Sequence, residues 1–365
     1  MADSTTTIPT RDFSAAPSSS SSGSRSRSPV QSTSGQVPLS RSRGMQLLAR
    51  AIQINLTLIA ICCGSDELEA IEFAQYFNLI PKFVICTVCG AMLQKITCTK
   101  RSNASTYNYA FKCFKRSCRK NYQIFQNTWF EGRHISTSKC ITLTYCFLKK
   151  MSQAHIIEET SGVCYGDLVT SSETVTDNNS YCREVMIDSL FLDGEVKKIG
   201  GANCTVEIDE AKFGKRKFNR GRMVEGQWVL GGICRETKET FFVPVEDRTS
   251  ETLIGLIKKH VKTGSILHTD CFKSYNTEVL VGLGYQHLTV NHSEEFVNSE
   301  TGCHTNTIEG TWWAVKRSLP SSGNRKPSFA AYLAEYIWHK KNSDAPCKFR
   351  AFLKDVAKLY PGNVN

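Results

Sequence analysis

Three carboxylates, Asp209, Asp270 and Glu309, stand where a two-metal phosphoryl-transfer site would need them. Hard divalent cations such as Mg2+ take oxygen ligands and keep several waters, so one or two carboxylates per ion and a substrate phosphate complete the shell. Two such ions about 3.5–4 Å apart activate the attacking oxygen and stabilise the leaving one in an in-line displacement. Taken singly, each acid reads as a solvated surface group or a cap. Their order and local contexts make them a candidate site.

Those contexts are strand, strand end and helix. Thr205-Val-Glu-Ile-Asp209 alternates, which sets Val206 and Ile208 on one face and Thr205, Glu207 and Asp209 on the other. Asp270 ends the short apolar run Ile266-Leu-His-Thr-Asp270, and Glu309 opens a helical stretch from Thr307 to Arg317. On that helix Ile308, Trp312, Val315 and Leu319 form the apolar stripe, and Glu309, Trp313 and Lys316 fall on a neighbouring face. Seven residues are nearly two turns, so Lys316 is placed to hold a phosphate near Glu309. The segment after the first strand, Lys212 to Arg222, brings Lys215, Arg216, Lys217, Arg220 and Arg222 to the rim, and cations there predict salt-sensitive, sequence-independent DNA affinity.

Composition agrees with a polyanionic partner. The 365-residue chain carries a formal charge of +11. From Pro81 to Lys150, 13 Lys or Arg face the single acid Glu131, interleaved with Tyr107, Tyr109, Phe111, Phe114, Tyr122, Phe125 and Trp129. That mixture suits a folded nucleic-acid-binding module better than a tail. Sixteen cysteines without a secretory pattern point to a reducing compartment, where thiols are core residues or metal ligands. The apolar stretch Ile52 to Cys63 is too short to span a bilayer and predicts a buried helix, so no membrane partner is expected.

Cys86-Thr-Val-Cys89-Gly90 has the spacing of a zinc knuckle, and Cys113 with Cys118 is the partner pair that would complete a tetrahedral site. Four residues lie between these two where a ribbon normally has two, and Cys98 competes as the fourth ligand. Bound zinc would supply folding energy that so small a segment lacks.

The chain divides into a disordered Ser/Arg-rich tail (1–44), a helical lead-in (45–80), a zinc-ribbon-like module (81–135), a helical region (136–199), a catalytic domain (200–342) and a C-terminal extension (343–365). In the helical region a helix from Asp177 to Leu190, with Asp177 as its cap and Arg183 exposed, is the candidate major-groove reader; a plain helical linker is the competing reading. From Gly200 the order is three strands, helix, strand, helix, strand, helix: the mixed α/β layout of an RNase H-like domain.

Glu207-Ile-Asp-Glu-Ala-Lys-Phe-Gly-Lys215, His268-Thr-Asp270 with Tyr275, His304-Thr-Asn306 with Ile308-Glu309 and Trp312, and Tyr332-Leu through Tyr336-Ile-Trp338 together resemble the Merlin superfamily of transposases and their bacterial insertion-sequence relatives, over about residues 80 to 342. The resemblance implies that Asp209, Asp270 and Glu309 are the catalytic acids and Mg2+ (or Mn2+) ligands, with Lys316 a basic residue such enzymes often place after the third acid. It implies cut-and-paste transposition on double-stranded DNA, with Zn2+ in the N-terminal module. At least a homodimer is expected from the synapsis of two ends, and the nucleus if the host is eukaryotic. The alternatives are a domesticated DNA-binding protein without catalysis, an RNA-binding interaction module, and an RNase H-like nuclease that cuts but never joins.

Overall fold

The computed structural model describes residues 39–64, 66–100, 107–161, 169–192, 197–213, 226–319 and 326–362. It opens with helices α1 (Leu39–Arg50), α2 (Leu56–Cys63) and α3 (Glu67–Tyr76). Asn55 and Asp66 start the last two by accepting the N–H groups of Leu58 and Leu68, which leaves fewer orphan donors at each helix start. Helix already begins at Leu39, so the tail expected over residues 1–44 is too long at its end, and its remainder lies outside the described residues.

Two small sheets follow: the hairpin β1 (Val84–Ile85) with β2 (Met92–Leu93), and the antiparallel β3 (Ile96–Lys100), β4 (Tyr107–Lys112) and β5 (Asn121–Gln123). Tyr109, Phe111 and Trp129 are buried here. They belong to a core, not to a base-stacking surface; Phe114 remains exposed.

Helices α4 (Thr137–Leu148), α5 (Gln153–Thr160) and α6 (Ser172–Leu190) begin on Ser136, Ser152 and Ser171, each accepting an N–H three residues on. Thus α6 starts before Asp177, which is no cap. Arg183 is not free either: its Nε donates to Glu335 at 2.8 Å and its guanidinium lies 4.4 Å from the Tyr332 ring centre. The exposed side of α6 carries Glu173, Asp177, Glu184 and Asp188. An acidic face is repelled by phosphates, so the linker reading fits α6 better than the groove-reading one.

The larger sheet is built from β6 (Thr205–Phe213), β7 (Gln227–Cys234), β8 (Thr240–Val245), β9 (Ile266–Asp270) and β10 (Gln286–Val290), in spatial order β10-β9-β6-β7-β8. The first three strands run antiparallel as a meander, and β9 and β10 run parallel to β6. Parallel neighbours need crossovers, supplied by α7 (Ser250–His260) and α8 (Thr277–Gly282). Val206, Ile208 and Leu230 pack with Leu253, Ile257 and Leu280 on one face of the sheet. On the other face Ala211, Phe213, Val229 and Ile233 meet α9 (Asn306–Ser318) and α10 (Lys326–Lys341) through Ile308, Trp312, Val315, Phe329 and Leu333.

The C-terminal segment is no loose extension. Helix α11 (Lys348–Leu359) is amphipathic and sinks Phe349, Phe352, Leu353 and Val356 into the same core as the N-terminal helices and small sheets. Phe352 meets Trp129 and Trp338 edge-on, at 6.1 and 5.8 Å between ring centres.

Candidate active site

β6 is the strand on which the site is built. Its odd-numbered residues face α9, so Glu207 and Asp209 lie beneath that helix, as the alternation predicts. β6 pairs with β9 in parallel up to Glu207 opposite His268, and two residues further on each strand stand Asp209 and Asp270. The two acids therefore stand level on adjacent strands, Asp270 as the last residue of β9 and Asp209 in the middle of β6. Burial pushes the Asp209 carboxyl up to about 6, and the charge of Asp270 adds to the rise against the Trp312 indole, with a smaller push from Glu309.

Trp312 Nε1 donates to Asp209 Oδ2 at 3.0 Å, which makes a core residue of α9 also the positioner of the first acid. Space for that indole comes from β7. Gly231 pairs with Asp209, and a methyl group there would stand 2.5 Å from the Trp312 ring.

Glu309 is half-exposed and held from two sides. Thr305 Oγ1 donates to its Oε1 at 3.2 Å, and His292 Nε2 lies 3.3 Å from the same oxygen and 2.7 Å from Thr305 Oγ1. Asp270 Oδ1 accepts the Phe272 N–H at 3.0 Å. Lys316 is exposed on the Glu309 side of α9, with its Nζ 5.5 Å from the Phe213 ring centre, so it points along the helix toward the end of β6. Lys215, Arg216, Lys217, Arg220 and Arg222 lie outside the described residues.

Beneath these acids sits a buried polar network that residue spacing alone does not disclose. Glu207 is fully buried, takes Arg235 Nε at 2.5 Å, and accepts the Ile308 N–H at 2.8 Å. Arg235 also donates to the His304 carbonyl at 2.8 Å and lies 3.1 Å from His268 Nδ1. His268 and His304 are thereby committed to holding strand and helix together.

Glu210 was missed as well. It faces the opposite side of the sheet, bonded to the Tyr275 hydroxyl and 3.7 Å from Arg248. Burial pushes its carboxyl up to about 7, opposed by Tyr275 and raised further by Asp209 and Asp270. The sequence signal was an acid in phase with Val206 and Ile208, at a position where the pattern calls for an apolar residue.

The three carboxylates supply hard oxygen donors. Among the described residues, the groups whose ligand atoms all lie within 4.8 Å of one another are different ones: Cys86, Cys89, Cys113 and Cys118, and Cys204, Cys234 and Glu236. In the first, Cys86 and Cys118 sulfurs are 3.4 Å apart and those of Cys89 and Cys113 are 3.5 Å apart. A tetrahedral Zn–S4 centre with bonds of about 2.3 Å needs about 3.8 Å between sulfurs, so these four thiols fit it. Gly90, at φ +68°, turns the first knuckle, and the Tyr122 hydroxyl beside Cys86 pulls that thiol down to about 6. The wide Cys113–Cys118 spacing closes with Arg119 in the left-handed region at φ +51°, and Cys98, exposed on β3, stands apart from the cluster.

No helix among the described residues is long and apolar enough to cross a membrane. Residues 198–340 match the ISXO2-like transposase domain. An uncharacterized transposase-like protein of Haemophilus influenzae (strain ATCC 51907 / DSM 11121 / KW20 / Rd) is 33% identical over 121 residues, which cover 33% of this chain and 94% of that protein. Among solved structures, a chain in the cryo-EM structure of the simian T-cell lymphotropic virus intasome in complex with PP2A regulatory subunit B56 gamma matches at 15% identity and a TM-score of 0.26. It covers 54% of this chain and 65% of that one, and a TM-score so low carries no argument. With the domain match and one residue in three identical along nearly the whole of the bacterial protein, this chain belongs to the ISXO2-like transposase family.

Proposed function

We propose that the protein is a cut-and-paste DNA transposase of the Merlin superfamily, whose RNase H-like catalytic domain cleaves at terminal inverted repeats and joins the freed 3′-OH ends to target DNA. The observation that carries this reading is the placement of Asp209 on β6 and Asp270 at the end of its parallel neighbour β9, each two residues past the Glu207–His268 pair, with Asp270 adding to the cost of the Asp209 charge and Glu309 on the helix above. The order β10-β9-β6-β7-β8, a meander extended by two parallel strands, supports the RNase H-like assignment.

Burial and the neighbouring Asp270 charge disfavour an ionised Asp209, a cost that a hard divalent cation would offset, so Asp209, Asp270 and Glu309 are assigned as ligands for Mg2+ or Mn2+. When bound, such ions stabilise charge on the attacking and leaving oxygens of an in-line displacement. The protein's own part is positioning. Trp312 fixes the Asp209 carboxylate, Thr305 and His292 fix that of Glu309, and Glu207 holds the helix that carries it. Lys316 is assigned a backbone phosphate, and Lys215, Arg216, Lys217, Arg220 and Arg222 further phosphates of the same duplex. Cys86, Cys89, Cys113 and Cys118 are assigned Zn2+ in a ribbon-like module that binds the terminal repeats. The enzyme would act in the nucleus of a eukaryotic host, as a dimer or higher assembly that holds two ends.

The test is strand transfer with purified protein, its own element ends, a plasmid target and Mg2+ or Mn2+, beside Asp270→Ala. Joined products from the wild type alone support the proposal. Cleavage without joining would recast the protein as a nuclease, and tight end binding with neither step as a domesticated DNA-binding protein.

A further inference from the structure

The opposite end of β6 carries a second cluster that the transposase reading leaves unused. Cys204 immediately precedes the strand, and Cys234 and Glu236 lie at the end of β7 and in the turn that follows. Val206 pairs with Cys234, so continuing the ladder sets Cys204 opposite Glu236 and puts all three on the α7 face of the sheet, away from Asp209. Cys204 and Asp209 are five residues apart along a strand, about 17 Å, too far for one centre to serve both.

We infer that Cys204, Cys234 and Glu236 form a separate zinc site, with three protein ligands and a fourth position open to solvent. Their ligand atoms all lie within 4.8 Å of one another, with Cys234 Sγ 3.3 Å from Glu236 Oε2. A tetrahedral ion with Zn–S of about 2.3 Å and Zn–O of about 2.1 Å needs about 3.6 Å between such a pair. Two thiolates select a soft or borderline ion over Mg2+, and one carboxylate is compatible with zinc. Cys234 is fully buried, Cys204 half-buried and Glu236 exposed, so the cluster is floored by protein and open on one side.

Glu236 now accepts the Thr205 N–H with both oxygens, at 3.1 and 3.0 Å, so one oxygen can turn to an ion while the other keeps the strand start anchored.

The site would also act on the catalytic network. Its ligands Cys234 and Glu236 flank Arg235, whose guanidinium holds Glu207 and the His304 carbonyl. An ion clamping this turn to the start of β6 braces the base from which Arg235 reaches. This bracing acts on the sheet rather than on DNA, and the inference stands whether or not the protein transposes DNA.

The experiment is zinc counting on full-length protein purified in reductant, followed by Co2+ replacement, for the wild type, Cys204→Ala and Glu236→Gln, with circular dichroism to establish that each variant is folded. The expected result is one zinc fewer per chain in Cys204→Ala than in the wild type, whatever the four-cysteine cluster holds. The variant should also lose part of the thiolate-to-cobalt charge-transfer band, and Glu236→Gln should bind the same ion at least tenfold more weakly. A folded Cys204→Ala with the wild-type zinc count overturns the inference. So does a wild-type chain two hydrogens lighter than its reduced mass, with Cys204 and Cys234 joined in one peptide pair.

Discussion

Glu207, fully buried in the middle of the sheet, accepts the backbone N–H of Ile308 at 2.8 Å and so caps the helix that carries Glu309. The cap is needed because Thr305, at the helix start, makes no side-chain capping bond. A carboxylate at that end also complements the helix dipole, more strongly when water is excluded. Through this contact, the strand that presents the first acid also sets the position of the third.

Glu207→Ala should therefore leave the partly buried Arg235 charge unpaired as well as uncap the helix. A loss of about 3–5 kcal/mol in urea unfolding is expected. Glu207→Gln keeps an acceptor for Ile308 and should lose less, while still impairing strand transfer through a displaced Glu309.

Gly231→Ala should force the Trp312 indole off β7, at a cost of about 1–3 kcal/mol. The methyl group would meet the six-membered end of the ring. Combining it with Trp312→Phe, whose ring is shorter, should give a smaller loss than the sum of the two single changes. Additive losses in the double-mutant cycle would show that Gly231 has another purpose.

Asp209→Asn should separate catalysis from stability. With its carboxyl held up at about 6 against an ordinary 3.8, Asp209 makes its full contribution to stability below pH 3.8 and loses it as pH rises through about 6. At pH 8 and without metal the wild type carries that cost and the variant does not. The variant should be inactive in strand transfer yet more stable in chelator, by on the order of 1–2 kcal/mol. Added Mg2+ should raise the melting temperature of the wild type and leave the variant's unchanged.

His339 predicts an acid limb in the stability curve. Burial, then Lys150 and Lys348, push its imidazole down to about 4, and its Nε2 is buried without a partner. The folded chain thus binds the proton less readily than the unfolded one. Its contribution is full above pH 6.5 and is lost as pH falls toward 4. His339→Phe should flatten melting temperature against pH across that window, and an unchanged slope would assign the limb to other groups.

Zinc removal should act on the N-terminal half first. Cys113→Ser is expected to lose one zinc and to lower the melting transition by several degrees, whereas Cys98→Ser should match the wild type in both. Equal loss in the two variants would return Cys98 to the ligand set.

From Gly200 onward local pattern alone was enough to place the strands and helices in order, whereas the five short strands β1 to β5 and the start of α6 were not legible in it. The alternation of Val206 and Ile208 against Glu207 and Asp209 sets a strand's faces, and the knuckle around Cys86 and Cys89 announces half of a thiol cluster. These are properties of a few neighbouring residues. Only tertiary structure distinguished the neighbouring acids. Glu207 and Asp209 share a face, yet one is sealed under α9 as a cap and the other stands past the last paired residues of β6 and β9, level with Asp270. Glu210, one residue further, turns to Tyr275. Helix α6 reads as a groove-binding helix until α4, α10 and α11 cover its apolar side and leave acids outside, and the last helix reads as an extension until its four apolar residues find the N-terminal core. Spacing along the chain determines which way a side chain points. The partners that bury, cap or charge it come from segments a hundred or more residues away, as with Glu207 and Ile308 or Arg183 and Glu335, and folding alone brings them together.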